Sequence, residues 1–396
     1  MGLTRILAYG CSTAAGRTVD QFWRSLSEGE DCSRTVDLVW PRTIALRDST
    51  IGHVAATVCA WPDSPGESAC DILVRHLAYA WGDCRKTLSG SLGRLGVIFA
   101  STKGCIDDCV WDEEPDLSQD TIRPVLDQFL RVSGLRSDDS ICVSNACTSS
   151  VTALWLANEW LRQDRVDHVL VLAADRIGPF VYKGFETLKV LTPTICRPFS
   201  GARDGLRLGE AAAAILLGRS SDQESGERED SSSNSVGLLG VGLDTEGFAV
   251  TRPAHSGESL KKVFRSFSPV KPDLIIAHGT GTLVNDQIED QVFSSLYGER
   301  AVPVTATKWC VGHTLGVSAA LDVIAACRIL QGSQPFWIGN TPEIDSRFSS
   351  SYLSAGTDKN SLRPRRIFVS SLGFGGVHAG VLLERVGQAD GRESVK

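Results

Sequence analysis

Short apolar runs alternate with helix-forming stretches along most of the chain, and this alternation restricts the fold more than any other feature. Strand-like runs at residues 6–9, 95–100, 141–143, 168–173 and 212–217 are separated by helical stretches, among them 19–26 and 68–88. The same order resumes later. Strands are expected at 236–243, 274–277, 302–306, 366–370 and 379–384, with helices at 257–267, 286–297 and 315–330. Alternation of this kind predicts a layered α/β arrangement.

The two series are divided by RSSDQESGEREDSSSNS, residues 219–235, which has no apolar side chain to bury and reads as an exposed connection or insertion loop. A chain of 396 residues is also long enough for two core-forming units, since single cores stop growing near ~250 to 300 residues. The expected organisation is an N-terminal half over 1–218, the polar connection, a C-terminal half over 236–387 and a frayed polar tail over 388–396. Residues 141–161 read strand, small-residue turn, apolar helix, and 302–330 repeat that order, which suggests a duplicated architecture.

Composition removes several classes of function. With 42% hydrophobic and 22% charged residues the chain is that of a globular protein. No stretch approaches the ~20 apolar residues of a membrane span, and the N-terminus reads as strand and loop, so a cytoplasmic protein is expected. A net charge of -7 argues against nucleic acid as a partner, because phosphate affinity needs clustered Lys and Arg. Twelve cysteines lack CxxC spacing and read as free thiols of a reducing compartment, and Cys105 with Cys109 lack the second ligand pair of a zinc site. No metal is expected.

Four segments carry chemistry. VSNACTSS, residues 143–150, puts Cys147 where a strand gives way to a helix that is apolar on nearly all faces. A thiol there sits beside unpaired N–H groups and the positive end of the helix dipole, which favours the thiolate. This segment alone leaves a reactive nucleophile and a small core cysteine equally open. AHGTGTLVND, residues 277–286, sets His278 at the end of an apolar strand on a turn of small and hydroxyl residues. In TATKWCVGHTLGVSAALD, residues 305–322, Lys308 and His313 lie five apart on a loop leading into a small-residue helix. A buried lysine there needs a partner, and Asp322 is available. SSLGFGGVHA, residues 370–379, is a glycine-rich turn between two strands, with no following helix or GKS/GKT sequence to make it a phosphate cradle.

Taken in order, NACTSS, HGTGT, KWCVGH and GFGG closely resemble the β-ketoacyl synthases of type II fatty-acid and polyketide synthesis, and RPFSGARDGLRLGEAAAAILL, residues 197–217, looks like a further signature of that family. The resemblance runs over nearly the whole chain. It implies a thiolase-like fold of five layers, αβαβα, made of two similar halves. It makes Cys147 the acyl acceptor of a Cys-His-His triad with His278 and His313, and Lys308 the residue that tunes and orders His313. The backbone N–H groups of Cys147 and Phe374 would form the oxyanion hole, with the Phe374 ring gating access. Thr280, Thr282 and Thr251 match positions that hold a phosphopantetheine arm. The implied reaction joins an acyl group on Cys147 to malonyl-acyl-carrier protein with loss of carbon dioxide. It needs no cofactor beyond the arm carried by that protein. A homodimer is implied; the alternative is a heterodimer formed with a chain-length-factor-like protein. Arg203 and Arg207 are candidates for the carrier-protein dock.

This chain departs from the family pattern at three places. GGVHA stands where the family has GGTNA, so that Val377 and His378 replace Thr and Asn. His378 reads as a polar brace for the turn. Asp322 takes the place of a Glu as partner of Lys308, and Leu283 stands where Pro is common. Initiating synthases and chalcone-type enzymes use Cys, His and Asn, and biosynthetic thiolases need a second catalytic cysteine where this chain has Phe374. A rival from another class is a silent chain-length-factor-like partner of another synthase. Such proteins usually lose the nucleophile, and this chain keeps it.

Overall fold

The computed structural model describes residues 2–39, 53–61, 67–88, 90–110, 120–219, 235–250, 254–298 and 301–387. The polar connection lies largely outside them, as do the tail and Thr251.

The N-terminal elements are β1 (Thr4–Thr13), α1 (Val19–Glu28), β2 (Arg34–Val39), β3 (His53–Val58), α2 (Ala69–Cys84), β4 (Leu95–Ala100), α3 (Arg123–Ser133), β5 (Asp139–Val143), α4 (Ser149–Arg162), β6 (His168–Asp175), α5 (Pro179–Thr187) and β7 (Ala211–Arg219). The C-terminal ones are β8 (Ser235–Thr245), α6 (Glu258–Arg265), β9 (Leu274–Ile276), α7 (Leu283–Tyr297), β10 (Pro303–Thr305), α8 (Lys308–Val311), α9 (Ser318–Leu330), β11 (Ser351–Tyr352), β12 (Arg366–Gly373) and β13 (Val377–Val386). Local chemistry sets several boundaries. Thr18 caps α1 by accepting from the Gln21 N–H, and Gly29 ends it in the left-handed conformation. Ser68 caps α2 through the Asp71 N–H.

Counted outward from the centre, one half orders its strands β1-β7-β6-β4-β5 and the other β8-β13-β12-β9-β10, with β11 added at the edge. The pairing senses match: the first two steps are antiparallel and the next two parallel in both halves. Thr4–Ile6 of β1 pair with 236–238 of β8, so hydrogen bonding runs through all eleven strands. The duplicated order is therefore visible in the topology, with β5 and α4 answering to β10 and α9.

Layering follows from the helices. α4 packs on β4, β6 and β7 of its own half and reaches β8 and β13 of the other, while α9 lies on β12 and β13 and reaches β1 and β7. These two helices touch in the middle of the molecule. α2 and α3 cover the outer face of the N-terminal sheet, and α6, with α7 beside it, covers β8 and β13. Five layers result. Strands covered on both faces read as unbroken apolar runs, as in β7, where Ala211 to Gly218 are all buried. The β2–β3 ribbon and β11 were not legible, and residues 308–311 form a short helix where a loop was expected.

Candidate active site

Cys147 sits on a sharp turn between β5 and α4. Ala146 before it takes φ of 47°, a strained value for a residue with a Cβ, costing of order 1–3 kcal/mol. The turn is held by Thr148 N–H to Asn145 O at 3.1 Å, Ser149 N–H to Ala146 O at 3.2 Å and Asn145 N–H to Ser149 Oγ at 2.8 Å. Ser371 Oγ, from β12 of the other half, donates to the Cys147 carbonyl at 3.1 Å.

His313 meets the sulfur. Its Nε2 lies 3.0 Å from Cys147 Sγ and its Nδ1 2.9 Å from Ser318 Oγ. The backbone aims the ring: Gly312, at φ 72° and with no room for a Cβ beside the Leu208 carbonyl, lets the chain leave α8 and run alongside 207–209. There the His313 N–H donates to Arg207 O at 2.6 Å and the Gly209 N–H donates to His313 O at 3.0 Å.

His278 follows β9. Its ring stands edge-on to that of His313, centroids 5.2 Å apart at 87°. A carboxylate positions it: Glu289 accepts from the His278 N–H and the Gly279 N–H, each at 2.8 Å, and from Ser370 Oγ at 2.6 Å. Asp286 does the same for the next turn, accepting from the Thr280 and Gly281 N–H groups at 3.2 Å and from the Phe199 N–H at 2.7 Å. The His278 Nδ1 is buried without a partner among the described residues.

Lys308 pairs with Asp322, Nζ to Oδ2 at 3.2 Å, both 1% exposed, and Thr307 Oγ1 donates to the other carboxylate oxygen. Burial pushes the Cys147 thiol up to about 12, against hydrogen bonds from the Phe374 and Cys147 backbone N–H groups and the Lys308 charge, which pull the other way. Burial, helped by Lys308, lowers His313 to about 3 and His278 well below the usual imidazole range. The expectation of a resting thiolate is thereby corrected: desolvation outweighs the helix terminus, and at neutral pH thiol and imidazoles are uncharged. A thiol donating to Nε2, with Nδ1–H donating to Ser318, satisfies the neutral pair.

Two cavities meet at this sulfur. One, of about 270 Å³, is lined by Cys147, His278, His313, Thr280, Thr282 and Phe374. The second, of about 710 Å³, shares Cys147 and Phe374 and adds Phe180, Leu188 and Leu315. Phe185 lines both and stacks on Phe374, centroids 5.5 Å apart. Thr280 and Thr282 are hydroxyl to hydroxyl at 3.0 Å.

Residues 136–223 match the profile of the β-ketoacyl synthase N-terminal domain, and residues 237–335 match that of its C-terminal domain. Both matches are to domains of β-ketoacyl synthases, one in each half of the chain. Nodulation protein E of Rhizobium meliloti is 32% identical over 200 residues, 48% of each chain. Polyketide synthase GfsE of Streptomyces halstedii is 30% identical over 277 residues, 64% of this chain and 7% of that protein. The chain thus spans about half the length of the first curated relatives it matches. Among solved structures, the ketosynthase ApeO in complex with its chain length factor ApeC from Xenorhabdus doucetiae is 21% identical with a TM-score of 0.76, covering 97% of this chain and 98% of that one. The type II polyketide AntDE:AntF complex of a ketosynthase with its acyl-carrier protein is 18% identical with a TM-score of 0.79, covering 97% and 99%. The fold is that of the thiolase-like ketosynthases.

Two arginines require correction. Arg203 and Arg207 are each 4% exposed and offer no docking surface. Arg203 donates to Asp345 at 2.6 Å and stacks over Phe348, and Arg207 reaches Ser33 and Asp31. His378 lies buried opposite Asp244, with Nε2 3.4 Å from Glu246 Oε2. Sequence reasoning missed Glu289, Asp286, Ser318 and Phe185. Two acidic residues three apart on the helix after HGTGT were a usable signal for the first pair. Ser318 passed for a small packing residue. Among the described residues no helix is long and apolar enough to cross a membrane.

Proposed function

We propose that this chain catalyses decarboxylative condensation of an acyl group on Cys147 with malonyl-acyl-carrier protein, giving the 3-oxoacyl carrier protein and carbon dioxide. The observation that carries this reading is Cys147 Sγ within 3.0 Å of His313 Nε2, with the His278 ring edge-on behind it in the same cavity.

In the first half-reaction the thiol proton moves to His313 Nε2 as sulfur attacks the acyl thioester. The oxyanion forms where the Cys147 and Phe374 N–H groups converge. The carrier thiolate leaves and takes the proton. Malonyl thioester then enters beside Thr280 and Thr282. His278 and His313 donate to its carbonyl oxygen as the bond to the carboxylate breaks and carbon dioxide departs. Between the half-reactions His313 gives up its Nδ1 proton and takes one at Nε2, the Ser318 hydroxyl turning from acceptor to donor at Nδ1, so His313 serves as base in one step and N–H donor in the other. The resulting carbanion attacks the Cys147 thioester, the tetrahedral intermediate expels the thiolate, and one proton from solvent restores the thiol. Burial, with the Lys308 charge added to it, keeps both imidazoles neutral for these roles.

The partners proposed are an acyl-carrier protein, whose phosphopantetheine arm lies along Thr280 and Thr282, and a second protomer, either a copy of this chain or a chain-length-factor-like protein. Support comes from two solved structures that hold a ketosynthase with such partners, and from β5, an edge strand of the sheet on which Ile141 is exposed. A cytoplasmic, reducing setting fits twelve free thiols. Retention of Cys147, both histidines and Lys308 favours the synthase over a silent partner. Intact-mass measurement after incubation with an acyl-carrier protein charged with an acyl chain tests the reading. An acyl adduct on Cys147, followed by its release when malonyl-carrier protein is added, is expected; an unmodified Cys147 would overturn it.

A further inference from the structure

A pair of sulfurs lies close to the candidate active site without belonging to it. Cys32, half-buried just before β2, has its Sγ 3.9 Å from Sγ of Cys310 in α8. The main chains are joined there by Cys32 N–H to Cys310 O at 2.9 Å, which holds the two backbones as near as a disulfide requires. Cys59 is turned away from this contact, donating to the Cys310 carbonyl at 3.7 Å. The Cys310 thiol lowers the Cys32 pKa by hydrogen bonding to it, while burial raises Cys310 well above the thiol range. One sulfur is thus reachable and disposed to ionise, and its neighbour is protected until needed.

We propose that Cys32 and Cys310 form a reversible dithiol–disulfide site that takes low-molecular-weight disulfides as oxidant and thereby slows the chemistry of Cys147. The Cys32 thiolate attacks the small disulfide, forming a mixed disulfide and releasing one thiolate. Cys310 then attacks the Cys32 sulfur and a second thiolate leaves with the Cys310 proton. Two protein thiols are oxidised and one small disulfide is reduced to two thiols.

The consequence follows from what α8 carries. Lys308 is two residues before Cys310 and His313 three after it. The segment around Cys32 is anchored on its other sides, by Asn340 to Asp31 at 3.0 Å and by Arg207 to Ser33, so it does not simply yield. Closing 3.9 Å to a bond of about 2.05 Å draws on α8 and moves the base and the charge that the Cys147 thiol depends on.

The disulfide rests on this geometry alone. Its effect on Cys147 rests on the proposed role of His313, and alkylation measured without any substrate keeps the two apart. The full chain would be treated with glutathione disulfide, alkylated with iodoacetamide and digested without reduction. A Cys32–Cys310 linked peptide is expected, with alkylation of Cys147 slowed about tenfold and restored by dithiothreitol. Cys32→Ser is expected to keep its resting alkylation rate and to ignore the oxidant. Absence of the linked peptide, an unchanged Cys147 rate in the linked protein, or equal slowing in Cys32→Ser through direct attack on Cys147 would each overturn the proposal.

Discussion

The N–H of His313 donates to the carbonyl of Arg207 at 2.6 Å, a hydrogen bond between the two halves of the molecule. His313, which faces Cys147, is therefore held by the half that carries Cys147, through the backbone of a residue whose side chain is buried. Packing around Arg207 therefore bears on site geometry, and the buried side chains of Arg207 and Arg203 present no surface to a docking partner.

Arg203→Ala tests that assignment. Its loss leaves the buried Asp345 carboxylate with only the exposed Arg347, so the urea midpoint should fall while the apparent KM for the carrier protein stays within about twofold of the starting value. A selective rise in KM with unchanged stability would restore the docking reading.

Replacement of Cys147 separates the two proposed half-reactions. Cys147→Ala should abolish the acyl adduct and condensation. Cys147→Gln, with His278 and His313 in place, should still release carbon dioxide from malonyl-carrier protein while forming no 3-oxo product. Carbon dioxide trapping and product chromatography check both.

Glu289 offers a sharper dissection, because it accepts from the His278 N–H and, among the described residues, no hydrogen bond joins it to His313. Glu289→Ala should lower decarboxylation by about 10²-fold through misplacement of the His278 ring, yet leave alkylation of Cys147 nearly unchanged. Equal loss of both would mean that the whole site had collapsed.

The pH dependence has a definite sign. With the thiol near 12 and His313 near 3, the rate of Cys147 alkylation should climb about tenfold per pH unit between pH 7 and 9, and the imidazoles stay neutral well below pH 6. The depressed pKa of His313 means that the unfolded chain binds the extra proton first. This group therefore costs stability as pH falls from the unfolded imidazole value toward 3. Lys308→Met removes the charge that lowers both histidines, so the acid limb of the condensation rate should move upward in pH, a shift read directly from a rate profile.

Much of this site was legible because its chemistry is local. Cys147 at a strand-to-helix turn, His278 at a strand end, the five-residue interval from Lys308 to His313 and the glycines around Phe374 all lie within short segments. The repeated strand-turn-helix order at 141–161 and 302–330 likewise became β5 with α4 and β10 with α9. Arg203 and Arg207 misled, since an arginine beside a motif carries no mark of what buries it. The partner of Arg203 is 142 positions away. Phe185 escaped notice for the same reason: only the folded chain brings it onto Phe374.

By itself the order of residues determined which groups could react and the alternation that stacks five layers, because both are set by short-range chemistry and periodicity. Only the tertiary structure decided their protonation and reach. Burial of Cys147 opposes the helix terminus, and contacts between the halves place His313 3.0 Å from the sulfur. Desolvation and long-range contact depend on where the rest of the chain packs, which no local pattern records.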